Sequence, residues 1–423
     1  MKKRIVCALV SLLALSSIAI AATDKAVGDG FQERAMEHIR YLAGLKNRNA
    51  GTAGERSAIH YAQKILEQAG FDVHVEPFHF VTYDLDRARL QVGGLEVVPL
   101  QTAFDPYSHK SRIRADVAVV SPELANDERN VINIDFAGKI VVTGSSASFY
   151  RLADRNPVAI VFVSDHDFQR VRNARGAAEL RFWGRERRVT SANLVAVRSD
   201  HAATRHDVII SAHIDSANTP GAQDNASGVA VALELARSLP KLSLPVNLRF
   251  VLFGAEEAGL LGSKSYVQMH REELRKCDLL FNLDSVGGNN ISIDMRGGVS
   301  DEAASGGTFE PRERGYERAL ADLDERWILL GPELPQFHAS NVPPRLVNSI
   351  RKTVGELGYV VHEGQYFSSD HQTFARAGIV ATDMGIGGIK IHGADDLPDQ
   401  IVPASLEKSC TNSHRRGLGS AIT

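Results

Sequence analysis

The sequence predicts an α/β fold in which a largely parallel sheet is covered by helices. From residue 207 onward, apolar runs alternate with stretches of helical spacing: DVIISAHID, SGVAVALELARSLP, VNLRFVLFGA, SKSYVQMHREEL and CDLLFNLDSVG. The apolar runs are nearly continuous, the pattern of strands buried on both faces, and linking helices cover such a sheet. Composition agrees: 43% hydrophobic and 23% charged residues over 423 positions describe a folded chain and exclude a disordered one.

Taken in order, the chain opens with MKKR, an apolar run IVCALVSLLALSSIAIA and a polar TDKAVGDG. A basic start, a short apolar centre and a small-x-small end at Ala19-Ile20-Ala21 form the pattern of a signal peptide over 1–21. The run is slightly short for a membrane span, so the expectation is a secreted or periplasmic protein with no stable anchor. Cleavage would remove Lys2, Lys3 and Arg4, taking the formal charge from −3 to −6. It would also remove Cys7 and leave Cys277 and Cys410, either paired or as two thiols.

Residues 31–70 show helical spacing broken by the turn-rich NRNAGTAG, which predicts two helices. The second would bury Ala58, Tyr61, Ala62, Ile65 and Leu66. FDVHVEPFHF then alternates as a strand does. Across 90–199 the runs ADVAVV, GKIVVTG, VAIVFVSD and ANLVAV are short and β-like, separated by polar connectors such as RVRNARGAAELRFWGRERR. This segment reads as a small module inserted into a core made of 22–89 and 200–423. Residues 296–345 are rich in Gly, Pro and charge and read as a surface excursion. A helix, RLVNSIRKTVGELG, and a strand, IVATDMG, then resume the core.

Several function classes drop out. A charge of −3 leaves no concentrated basic surface for nucleic acid, and the Arg cluster at 170–188 reads as a solvated face. Three Cys are too few for a disulfide scaffold or an all-thiolate zinc site. GTAGER and GIGGIK lack the G-K-[ST] ending of a phosphate loop, and no Ser-centred nucleophile elbow occurs.

The strand ends carry the chemistry. His213 and Asp215 close the first apolar run, and Asp224 follows in a Gly/Asn-rich turn. Two residues from His213, Asp215 would lie on the same side and could accept from the imidazole's second nitrogen, which fixes a ligand's tautomer. The next run ends in adjacent Glu256 and Glu257, which repel unless a cation is near or one is protonated. A metal would hold one and leave the other as a general base. Asp284 ends the third run. Open α/β sheets bind ligands at these carboxyl ends. A final ligand is expected near the C-terminus, at His392 or His371. His392 is preferred because it follows a short apolar run and precedes an acidic turn.

The ordered set AHIDS, GAQDNASG, GAEEAGLLGS, NLDSVG, SSDH and HGADD resembles the di-zinc aminopeptidase family, the twenty-eighth family of metallopeptidases. The likeness covers about 31–70 and 207–405. It implies a three-layer helix–sheet–helix zinc exopeptidase core with a mixed, largely parallel sheet, and it makes 90–199 a protease-associated-like module. It implies two zinc ions per chain: His213, Asp224 and Asp284 on one, Asp224, Glu257 and His392 on the other, with Asp224 bridging. Glu256 would be general base and then acid, Asp215 the partner of His213, and the Asp224–Asn225 peptide cis. The implied substrates are peptides with a free N-terminus. Carboxypeptidase, dipeptidase and glutaminyl cyclase-like activities, and a metal-free binding ectodomain, occur on the same fold and remain open. Two positions depart from the family: Ile391 stands where Tyr is usual before the last His, and Gly393 where Thr is common.

Overall fold

The computed structural model describes residues 30–104, 111–126, 134–144, 152, 157–198, 206–217, 219–239, 246–288, 292–294, 327–329, 369–385, 391 and 395–406. The leader at 1–21, the helix expected over 345–358, His392 and Cys410 lie outside the described residues.

Helix α1 (Phe31–Gly44) buries Phe31, Ala35, Ile39 and Leu42 at helical spacing, and α2 (Ala53–Gln68) buries Ala58, Ala62 and Leu66. Tyr61 and Ile65 pack half-buried at the margin of that stripe. Helix α2 starts where Thr52 accepts the Glu55 N–H at 3.2 Å while the Glu55 carboxylate accepts the Gly51 N–H at 2.6 Å. These two bonds satisfy amide groups that a helix start leaves without partners.

Strands β1 (Phe71–Val92), β2 (Leu95–Val97), β3 (Gln101–Phe104) and β4 (Arg112–Val119) follow, then a short helix α3 (Pro122–Asn126). Next come β5 (Lys139–Gly144), β6 (Ala159–Val163), α4 (Asp165–Val171) and β7 (Ala177–Arg198). The Arg-rich stretch 170–188, expected to be a connector, forms in its second half the start of β7. Ala178, Leu180 and Phe182 are buried while Arg181 and Trp183 are exposed. The strand period is present, but charge on the outward positions hides it.

The remaining elements are β8 (Asp207–His213), α5 (Gly228–Ser238), β9 (Asn247–Phe253), α6 (Leu261–Met269), β10 (Cys277–Asp284), β11 (Ser292–Asp294), β12 (Trp327–Leu329), α7 (His371–Arg376) and β13 (Ala381–Gly385). Cys277 opens β10, and burial pushes its thiol up to about 12. No described helix is long and apolar enough to cross a membrane.

The chain divides into two compact units and passes between them within β1 and β7. One comprises Met1–Phe78, Thr190–Thr308 and Phe337–Thr423, the other His79–Val189 and Phe309–Gln336. In the first, the sheet runs β11-β13-β10-β8-β9-β7. β13, β10, β8 and β9 are parallel, and the flanking strands β11 and β7 pair antiparallel. Helices α1, α2 and α5 cover one face through a core that includes Ala212, Ile214, Val229, Leu233 and Phe250. Helices α6 and α7 cover the other through Ile209, Val251, Phe253, Tyr266 and Phe374. The alternation of Val208, Ile210 and Ala212 against Ile209 along β8 feeds both faces, which is why the strand reads as continuously apolar. The helix–sheet–helix core is therefore the expected one. In the second unit β4, β5 and β6 are parallel, with β3 antiparallel to β6 and β7 antiparallel to β4. Apolar clusters around Val161 and Val141 fill it.

Candidate metal centre

The pairing register brings three strand ends level. His213 lies opposite Phe253, and Ser211 opposite Asn282, so His213 and Asp284 each stand two residues past a matched pair. After Phe253 the chain turns through Gly254 and Ala255, the latter at φ 53, before Glu256 and Glu257. A Cβ at Gly254 would lie 2.3 Å from Ser191 Oγ and 3.0 Å from Glu55 Oε1, so a side chain there would push the turn off its support.

Asp215, fully buried, accepts the N–H of Glu256 at 3.1 Å and of Glu257 at 3.2 Å. Its Oδ1 also lies 3.4 Å from His213 Nδ1. The sequence pointed to the imidazole contact. The grip on the Glu256–Glu257 backbone is visible only in the fold.

Asp224 sits in a π-helical turn, Ala222–Ser227, and its peptide bond to Asn225 is cis. Asp396 holds this turn: its carboxylate accepts the N–H groups of Gln223 at 2.7 Å and Asp224 at 3.1 Å, and its carbonyl accepts Ala222 N–H at 3.2 Å. The Asn225 side chain ties the turn to β10, donating to Leu283 O and accepting from Ser285 N–H. His213 Nε2 then lies 3.0 Å from Asp224 Oδ1 and 3.4 Å from Asp284 Oδ1.

Two groups of donor atoms result, each with all members within 4.8 Å: His213, Asp224 and Asp284, and His213, Glu256 and Glu257. Four of the predicted metal and base residues, Asp224, Asp284, Glu256 and Glu257, thus converge on His213. His371 joins neither group; its Nδ1 lies 3.8 Å from Asp383 Oδ1, the end of a polar ladder of Ser211, Asn282 and Asp383.

The electrostatics are those of a site short of positive charge. Burial opposes a proton on His213, yet Asp284 and Glu256, with the Asp215 and Asp224 contacts, raise its pKa well above the usual imidazole range. Burial likewise holds Glu256 well above the carboxylate range; His213 opposes that rise, while Asp284, Glu257 and Asp370 add to it. Burial lifts Asp370 to about 7, and Asp215 and Asp284 contribute. Both ring nitrogens of His213 are buried without a hydrogen bond of proper geometry. Imidazole nitrogen and carboxylate oxygens are the donor set of a zinc site. The residues present fit such an ion.

Sequence reasoning missed Asp396, Asp370, Glu55 and Arg48. Asp396 was visible only as the end of an acidic turn, and Arg48 and Glu55 as parts of an inter-helix turn. What marks each is burial, which a lone sequence does not display: Arg48 is 0% exposed and Glu55 1%.

Residues 193–324 match Peptidase family M28. Aminopeptidase YwaD of Bacillus subtilis is 43% identical over 101 residues, 23% of this chain and 22% of that protein. An aminopeptidase of Pseudomonas aeruginosa is 27% identical over 316 residues, 60% of this chain and 57% of that one. The chain therefore matches less than two thirds of the length of either relative. In fold it is similar to BSAP, a zinc aminopeptidase from Bacillus subtilis, with a TM-score of 0.57, 21% identity, and coverage of 90% of this chain and 93% of that one. The family match runs through the ends of β8, β9 and β10, where the donor groups meet, and it spans under a third of the chain.

Proposed function

We propose that this protein is a secreted zinc-dependent aminopeptidase that removes N-terminal residues from peptides. The observation that carries the reading is the convergence of His213, Asp224, Asp284, Glu256 and Glu257 beyond the carboxyl ends of β8, β9 and β10, around a buried imidazole whose nitrogens make no proper hydrogen bond. The names of the two aminopeptidase relatives support the activity.

In this reading His213, Asp224 and Asp284 hold one zinc, and Asp224, Glu257 and His392 the second, with Asp224 shared. Zinc would polarise the scissile carbonyl and lower the pKa of the attacking water. Glu256 takes that water's proton on its carboxylate and delivers it to the departing amine. Asp215 orients the imidazole through Nδ1 and fixes the Glu256 backbone, so base and ligand stay aligned. A substrate's free α-amine finds its counter-charge in the carboxylates at the strand ends, which selects cleavage at the amino terminus. In this reading the segment 90–199 is the inserted protease-associated-like module, and the leader at 1–21 directs export.

The test is hydrolysis of aminoacyl-anilides by the purified protein, with and without a chelator, beside the same substrates N-acetylated. Chelator-sensitive cleavage of the free-amine substrates alone is expected. Cleavage that survives metal removal, or a preference for blocked amino termini, overturns the reading.

A further inference from the structure

The turn between α1 and α2, NRNAGTAG, contains the largest fully buried side chain among the described residues, Arg48. Its hydrogen bonds go to backbone carbonyls. Nε donates to Ile214 O at 3.1 Å, and Ile214 is the residue after His213. Nη1 donates to Pro220 O at 2.6 Å and Leu42 O at 3.2 Å, and Nη2 to Gly221 O at 2.9 Å. Gly221 stands three residues before Asp224. The Arg48 backbone N–H donates to Ser216 Oγ at 3.1 Å, and that hydroxyl donates to Thr219 O at 2.9 Å.

We propose, resting on the zinc reading above, that Arg48 is a positioning residue for the metal centre, tying the segment that leaves His213 to the segment that enters Asp224. Two features of the site support a role beyond packing. The guanidinium has no carboxylate among its hydrogen-bond partners, yet Asp215, Asp224, Asp396 and Glu257 supply the negative field around it. A buried cation without that field would cost several kcal/mol, so the charge belongs with the carboxylate cluster. The second feature is steric. Gly221 has φ +59, and a Cβ there would lie 2.9 Å from Arg48 Nη2 and 2.4 Å from Asp224 O. The loop is thus wrapped directly onto the guanidinium as it approaches Asp224.

Only a planar fork can reach carbonyls on three sides at once; an ammonium keeps the charge and loses the bracket. Arg48→Lys therefore separates the two contributions. In the full-length protein, zinc affinity is measured by competition with a chromophoric chelator, and folding by circular dichroism. Arg48→Lys is expected to stay folded and to bind zinc about 10–100-fold more weakly, the range for residues that orient ligands. A purely structural role would lower the melting temperature and leave the zinc affinity of the folded protein unchanged. A folded Arg48→Lys with wild-type zinc affinity overturns the proposal. Should that variant not fold, Ser216→Ala loosens the same bracket by the two hydrogen bonds of its hydroxyl, to Arg48 N–H and Thr219 O; a weakening of about 2–10-fold supports the proposal and an unchanged affinity overturns it. Wild-type protein that takes up no zinc removes the zinc reading itself, a separate outcome from wild type and variant binding alike.

Discussion

In the first unit β8, β9 and β10 run parallel and end at His213, the Glu256–Glu257 turn and Asp284. In the second unit β4, β5 and β6 also run parallel, and they end at Val119, Gly144 and Val163. The second set leads into ordinary structure: Pro122 opens α3, and Ser164 caps α4 by accepting the Asp167 N–H. Polar partners differ in the same way. Around β8 they are buried, as with Asp215 and His213, whereas in the second unit Arg187 meets Asp84 at 2.8 Å with both side chains partly in water. A parallel apolar sheet creates strand ends wherever it forms. Chemistry arises only where buried carboxylates are left there facing one another.

Four substitutions break or sharpen that contrast. The largest effect is expected from Glu256→Gln, which removes the proposed base while keeping shape: anilide turnover should fall about 10²–10⁴-fold with zinc content unchanged. Turnover near wild type would leave the strand ends without their assigned chemistry. Asp215→Asn tests whether orientation depends on the buried carboxylate, and chelator competition should show zinc affinity down about 10–100-fold.

The third concerns Glu55, whose carboxyl burial raises from 4.5 to about 8, with Asp215 adding to the rise and Ser191 and Gly51 opposing it. The folded state holds this proton more tightly than the unfolded chain does. Its contribution is therefore complete below about pH 4.5 and lost as pH rises toward 8. Glu55→Gln mimics the protonated acid, donating to Ser191 Oγ and accepting from Gly51 N–H. Denaturant unfolding should show the variant gaining on wild type between pH 5 and 9, by on the order of 1–4 kcal/mol. A gap that stays constant across that range rules out the buried, protonated carboxyl. The smallest effect belongs to the second unit: Arg187→Ala breaks a partly exposed pair and should change stability by about 0–1 kcal/mol without altering turnover.

Much of the core was legible in the sequence because its signals are local. Continuous apolar runs marked β8, β9 and β10, and helical spacing marked α1, α2 and α5. The residue types at the strand ends marked His213, Asp224, Glu256, Glu257 and Asp284. Local signal failed along 177–188, where alternating charge and Gly184 obscured a strand, and in NRNAGTAG, where a buried cation looked like turn chemistry. Asp396 shows the same limit, since its value lies in N–H groups about 170 residues away in sequence.

By itself the sequence determined the order of strands and helices, the faces they bury and the donor atoms available at each strand end, because propensity, periodicity and residue chemistry act within a few positions. Tertiary structure alone decided which donors meet. The parallel register brings His213 and Asp284 level, Asp215 and Asp396 lock the flanking backbones, and Arg48 joins the two segments between His213 and Asp224. Those are long-range hydrogen bonds whose partners are named only when the sheet has formed, and burial is what makes each of them energetically obligatory.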